Sequence, residues 1–206
     1  MAVEASCAAL DDAIIAAGHL GGIAAVPWKN EGGQTRELCV EPAEADFASF
    51  AWRASVADVG RDGVFSTFDG IDRTIVLLEG GGFTMHADGA QIHDLRECFA
   101  PFSFAGEEGV SVRLHGAPTL DFNLMVRRSL ASGEVVALSG QDFSKLPGDT
   151  VLLYAAQGEA SLADAAGQRR QLRTGEFVRL REGAPLPDLG CAAGAVVLAI
   201  RIHSKT

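Results

Sequence analysis

Apolar and polar positions alternate with a period of two along much of the chain, and that period predicts strands rather than helices. Between Trp52 and Val59, the residues Trp52, Ala54 and Val56 share one face, and Arg53, Ser55 and Ala57 share the other. Alternation alone does not decide which face turns inward. An inward Arg53 needs an anionic partner, because an unpaired buried charge is costly, whereas an outward one is an ordinary surface arginine. Further along, Asp121, Asn123 and Met125 fall opposite Phe122, Leu124 and Val126. Asp and Asn are disfavoured inside strands, and such a violation marks a functional or tightly hydrogen-bonded position. Residues 74–78, 83–87 and 195–203 predict further strands, the last apolar enough to be central.

The pattern repeats weakly. The run that begins at Val151-Leu152-Leu153 resembles the run that begins at Val76-Leu77-Leu78. Each reaches a hairpin turn, Asp88-Gly89 in one and Asp164-Ala165-Ala166-Gly167 in the other. Each returns through a short strand, from Gln91 and from Gln168, 77 positions apart. Residues 102–106 and 175–180 correspond more loosely. A duplicated β-barrel half is the simplest account. Residues 1–17 predict a short helix ending at Gly18 or a poorly ordered tail, and residues 19–26 a short apolar strand.

Pro27-Trp28-Lys29-Asn30-Glu31-Gly32-Gly33-Gln34-Thr35-Arg36-Glu37 interrupts the strands. The glycine pair permits backbone angles that other residues avoid, so a tight loop is predicted, presenting Lys29, Asn30 and Gln34. Cationic and amide donors on a shaped loop suit a carboxylate. A solvated hairpin turn with ordinary polar residues is the alternative.

Composition narrows the class. The 206 residues are 48% hydrophobic and 21% charged, with 24 glycines, which favours an all-β sandwich or barrel with a real core. A net charge of −10 argues against nucleic acid as a partner, since phosphate backbones repel it. Cys7, Cys39, Cys98 and Cys191 are far apart and sit among apolar neighbours, so buried thiols are expected. The N-terminal stretch carries Glu4, Asp11 and Asp12 without a basic region, so neither a signal peptide nor a membrane span is expected, and the default location is cytoplasmic. No two of His19, His86, His93, His115 and His203 are two apart. A site from His86, His93 and Glu97 can be drawn but does not fit known ligand patterns, so no metal or other cofactor is expected. No nucleophile elbow, zinc-protease helix or phosphate-cradling loop is present, and no catalytic residue stands out.

Four blocks together resemble the HutD/Ves family of bicupin proteins. They are Pro27-Trp28-Lys29-Asn30 with Gly32-Gly33 and Thr35-Arg36-Glu37; Trp52-Arg53-Ala54-Ser55-Val56-Ala57; Phe65-Ser66-Thr67-Phe68-Asp69-Gly70-Ile71-Asp72-Arg73; and Asp121-Phe122-Asn123-Leu124-Met125. They cover the first two thirds of the chain. Glu31 departs from the family, which usually has glycine there, and would bring a carboxylate beside the loop. The resemblance implies an all-β, RmlC-like fold: a double-stranded β-helix, or cupin, duplicated within one chain. Barrels are then expected over residues 18–120 and 121–206. It also implies a link to histidine utilisation, in which the family is suspected of a regulatory role through binding an intermediate, with urocanate and formylglutamate as candidates.

On that footing the expected function is metal-free binding of a small carboxylate. Trp28, Lys29, Asn30, Arg53, Phe68 and Asn123 are the expected contacts, and Arg36, Glu37, Ser55 and Arg73 orient them. An isomerase or hydrolase acting on such an acid, or a non-catalytic protein-interaction module, are the alternatives. A homodimer is left open.

Overall fold

The computed structural model describes residues 10–140 and 144–205; Cys7 therefore lies outside the described residues. One helical turn, α1 (Leu10–Ala13), opens the chain and leads directly into β1 (Ile14–His19). The predicted helix to Gly18 is thus corrected, because the β-branched pair Ile14-Ile15 begins a strand. The predicted strand over 19–26 shrinks to β2 (Val26–Pro27), since Leu20–Gly22 form a 3-10 turn.

The next strands are β3 (Gly33–Glu41), β4 (Trp52–Val59), β5 (Gly63–Val64), β6 (Ile71–Glu79), β7 (Phe83–Ala87), β8 (Ala90–Leu95), β9 (Pro101–Ala105), β10 (Ser111–Leu114) and β11 (Thr119–Arg127). Then come β12 (Ala131–Ser139), β13 (Ser144–Lys145), β14 (Thr150–Gln157), β15 (Glu159–Ala163), β16 (Arg169–Arg173), β17 (Glu176–Leu180), β18 (Asp188–Cys191) and β19 (Val196–Ser204). The fold is all-β.

The chain divides into two compact units. One holds Leu20–Val135 and the C-terminal residues from His203; the other holds the described residues up to His19 and Val136–Ile202. In the first, a six-stranded sheet ordered β2-β3-β4-β11-β6-β9 and a four-stranded sheet ordered β5-β10-β7-β8 share a core that includes Ile75, Leu77, Phe83, Met85 and Val112. In the second, the orders are β1-β17-β14-β19-β12 and β13-β18-β15-β16, around Leu153, Leu162, Leu172, Val178 and Val197. Strand order recurs: β11-β6-β9 with β10-β7-β8 in one unit, and β19-β14-β17 with β18-β15-β16 in the other. The expected boundary at 120/121 falls inside β11, whose residues 120–126 pair with both β4 and β6 and so go with the first unit.

Local chemistry fixes the turns. Asp88 (φ 50°) and Gly89 (φ 77°) form the left-handed pair of the β7–β8 hairpin. In the Pro27–Glu37 stretch the left-handed residue is Glu31, at φ 55°. A glycine there would be relaxed. Gly33 serves another purpose: a Cβ would lie 2.2 Å from the Asp58 carbonyl oxygen and 3.2 Å from the Trp28 ring. Cys39 and Cys191 are buried, but Cys98 is exposed on the turn after β8, which corrects the expectation of burial for all of them.

Candidate functional site

The six-stranded sheet of the first unit sets the site by register. Residues directly opposite in antiparallel strands share a face. One row reads Val40, Arg53, Met125, Arg73, Phe104 across β3, β4, β11, β6 and β9. The next reads Glu37, Ser55, Asn123, Ile75, Phe102, and the third Thr35, Ala57, Asp121, Leu77. Ile75, Leu77 and Phe104 belong to the core shared with the four-stranded sheet, so this is the inward face. Arg53 is therefore turned inward, in company with Asn123 and Arg73.

Arg53 has its anionic partner. Its Nε donates to Glu37 Oε2 at 2.6 Å and its Nη1 to Ser55 Oγ at 3.3 Å, while its guanidinium lies 5.0 Å from the centre of the Phe47 ring. A register shift after Glu37 interrupts the β3 alternation there. Arg73 is enclosed differently, over the rings of Phe104, Phe65 and Phe68 at 4.9, 5.4 and 5.6 Å. Its Nη1 donates to the Ser66 carbonyl at 3.2 Å, and its buried Nε has no partner. Burial, helped by the neighbouring Arg53 charge, lowers Arg73 to about 10.

Asn123 donates from Nδ2 to the Asp121 carbonyl at 3.2 Å. Asp121 itself has no exposed surface; Thr119 Oγ1 donates to its Oδ2 at 2.6 Å, and its Oδ1 has no partner. Burial raises this carboxyl to about 7, against the Thr119 hydrogen bond and with a small push from the Asp58 charge. Trp28 stands edge-on to Phe65 with ring centres 6.2 Å apart, and its Nε1 donates to Thr35 Oγ1 at 2.8 Å. Phe68 stacks on Phe47 at 5.4 Å.

Of the residues singled out in the sequence, the inward face thus gathers Arg53, Asn123, Ser55, Glu37 and Arg73, with Phe68 and Trp28 adjoining through Phe65 and Phe47. Three stand elsewhere. Lys29 is exposed on the turn. Asn30 uses Oδ1 to accept from Gly32 N at 3.0 Å, bracing its own turn. Arg36 lies on the opposite face, paired with Asp58 at 2.7 Å. Glu31 also points away: its carboxylate is exposed and 3.9 Å from Arg61. Sequence reasoning missed Phe47, Phe65 and Phe104 as walls of the site. Phe47 carries a signal, an aromatic that follows the polar run Glu44-Ala45-Asp46 in the connection between β3 and β4; the other two look like ordinary core.

His93 stacks flat on Phe102 at 3.8 Å, and burial lowers its pKa against the pull of Asp94. No group of three or more metal-capable side chains occurs among the described residues. Likewise, no helix among them is long and apolar enough to cross a membrane.

Comparison with known proteins places these features in context. A family model described as HutD matches residues 22–198. An "Uncharacterized 21.2 kDa protein in hutC 3'region" of Pseudomonas putida is 34% identical over 155 residues, 75% of this chain and 80% of that one. "Protein Ves" of Cronobacter sakazakii is 42% identical over 109 residues, 52% of this chain; the match spans only 58% of that relative's own length. The solved structure of "HutD from Pseudomonas fluorescens SBW25 (Formate condition)" superposes with a TM-score of 0.77 at 28% identity, covering 93% of this chain and 99% of that one. For the fold alone, a "Cupin 2 conserved barrel domain protein" of Leptotrichia buccalis superposes with a TM-score of 0.54 at 11% identity, covering 93% and 97%.

Proposed function

This chain belongs to the HutD family, and from that premise we propose that it is a cytoplasmic binding protein for a small carboxylate, regulatory or accessory to histidine utilisation. Urocanate and formylglutamate are the candidate ligands. The ligand lies against the inward face of the Leu20–Val135 unit, held by Arg53 and Asn123. Two cupin barrels in one chain, a bicupin, form the scaffold; the strand order that recurs in both units supports this.

One observation carries the reading: two guanidiniums, Arg53 and Arg73, share an inward face, and among the described residues Glu37 is the one carboxylate paired with either of them. Two guanidiniums with one ion-paired carboxylate between them favour an anionic guest. Calorimetry with urocanate and formylglutamate tests it. Saturable binding is expected, weakened at least about tenfold in Arg53→Ala, the cost of losing a charge-assisted contact. No heat with either acid would remove the reading.

Asp121 favours a second reading, an enzyme acting on such an acid. A buried carboxyl raised to about 7 is poised for proton transfer near neutral pH. Incubation with the same acids followed by mass spectrometry separates the two: new products support the enzyme, and unchanged acids the binding protein.

A further inference from the structure

We infer that Arg73, more than the Glu37-paired Arg53, is the cation that holds the ligand's carboxylate, and that the ligand is a monoanion with a flat, uncharged body. This rests on the reading that the inward face binds a carboxylate, and adds which group does so and what it selects.

Arg53 is already neutralised. Its Nε lies 2.6 Å from Glu37 Oε2, and only 12% of its side chain is exposed. An incoming carboxylate would have to compete with Glu37 for it. Arg73 has no carboxylate partner among the described residues. Of its five N–H donors, one meets the Ser66 carbonyl, and Nε is buried without a partner. The residue as a whole is half-buried, so part of its surface remains open. A cation that is desolvated and uncompensated is destabilised until an anion joins it, so binding energy is stored there.

The surroundings select the body of the ligand. Phe104 and Phe68 lie 4.9 and 5.6 Å from the guanidinium, and Phe47 extends the wall by stacking on Phe68 at 19°. Phe104 itself is buried, but half-buried Phe68 and exposed Phe47 offer flat, apolar surfaces, and a planar conjugated group lies against them without losing hydrogen bonds. Charge selects further. Arg53 is paired with Glu37, whereas Arg73 has no carboxylate partner among the described residues, so a single carboxylate balances it, and Asp121 on the same face repels a second one when it is ionised. A second carboxylate would be desolvated beside the rings or face Glu37 with no counter-charge.

The test uses the full chain, calorimetry and thermal unfolding. The probes are urocanate and trans-cinnamate as flat monocarboxylates, cinnamamide as a neutral copy, and formylglutamate and glutarate as flexible dicarboxylates. The flat monocarboxylates should bind at least about tenfold more tightly than cinnamamide or either dicarboxylate. Arg73→Met should lose at least about thirtyfold in affinity, more than Arg53→Ala, while its ligand-free melting temperature stays level or rises because a buried, uncompensated charge is gone. Arg73→Lys, which keeps the charge without the planar fork, should fold and bind about fivefold or more weakly than wild type.

A merely bracing Arg73 gives the opposite signature: a lower melting temperature in Arg73→Met with affinity retained. That result, or equal affinity in Arg73→Lys, or dicarboxylates bound as tightly as monocarboxylates, overturns the inference and leaves carboxylate binding standing. If wild type binds none of the acids, the binding reading falls first and this inference with it.

Discussion

Asp121 lies within β11 with no exposed surface and one carboxyl oxygen unpartnered, and burial raises it to about 7. The folded chain therefore binds a proton there that the unfolded chain has released above its ordinary value of 3.8. Between those two values the folded state holds more protons than the unfolded one, so this group's contribution to stability falls as pH rises, and levels off above about 7. Asp46, Asp94, Asp164 and Glu107, all held down by hydrogen bonds, act in the other direction and lose their contribution only in acid. Asp121→Asn, which copies the neutral carboxyl, isolates the first effect. In urea unfolding the variant should match wild type near pH 4 and exceed it at pH 8, by an upper limit on the order of 4 kcal/mol at about 1.4 kcal/mol per tenfold. Equal curves at both pH values would show that Asp121 is not held neutral. The sequence flagged this position, because an Asp inside a strand defies propensity. It did not say whether the side chain meets a ligand or a neighbour, since Thr119 two residues away supplies a partner that no pattern requires.

The β3–β4 pair shows where pattern reading stops. Alternation in β4 placed Trp52, Ala54 and Val56 opposite Arg53, Ser55 and Ala57, and the strand has that form. Its inward side is the one bearing arginine, which composition could not reveal: both faces are largely buried, so hydrophobicity does not distinguish them. Arg36 and Glu37 are neighbours with opposite fates, one paired with Asp58 behind the sheet and one with Arg53 inside. The Gly32-Gly33 pair was legible as a tight turn, but for the wrong reason. The left-handed residue is Glu31, and Gly33 is small because Asp58 O and Trp28 crowd it. Gly33→Ala should therefore push β3 from β4 at the Gly33–Val59 pairing and cost roughly 2 kcal/mol or more in urea unfolding, as overpacking does. Trp28 should move with it, shifting tryptophan emission towards red as its bond to Thr35 loosens. Unchanged stability would mean that the backbone yields at this point without cost.

At the scale of the whole chain, a protein with a net charge of −10 is assigned an anionic guest. Two places could hold it, and salt tells them apart. Lys29 is exposed on its turn, where the attraction to a carboxylate runs through water and is screened within about 8 Å at physiological ionic strength. Arg73 is set among rings, its Nε buried, where screening by salt is weaker. Salt therefore weakens a contact at Lys29 steeply and one at Arg73 little. It also screens the repulsion between the acidic surface and an approaching anion, which speeds encounter. For the inward face, affinity for urocanate should change by less than about threefold between 10 and 300 mM sodium chloride, with an association rate that holds or rises. A roughly tenfold loss of affinity over the same range would move the anion out to the turn, leaving the buried arginines as braces of the sheet.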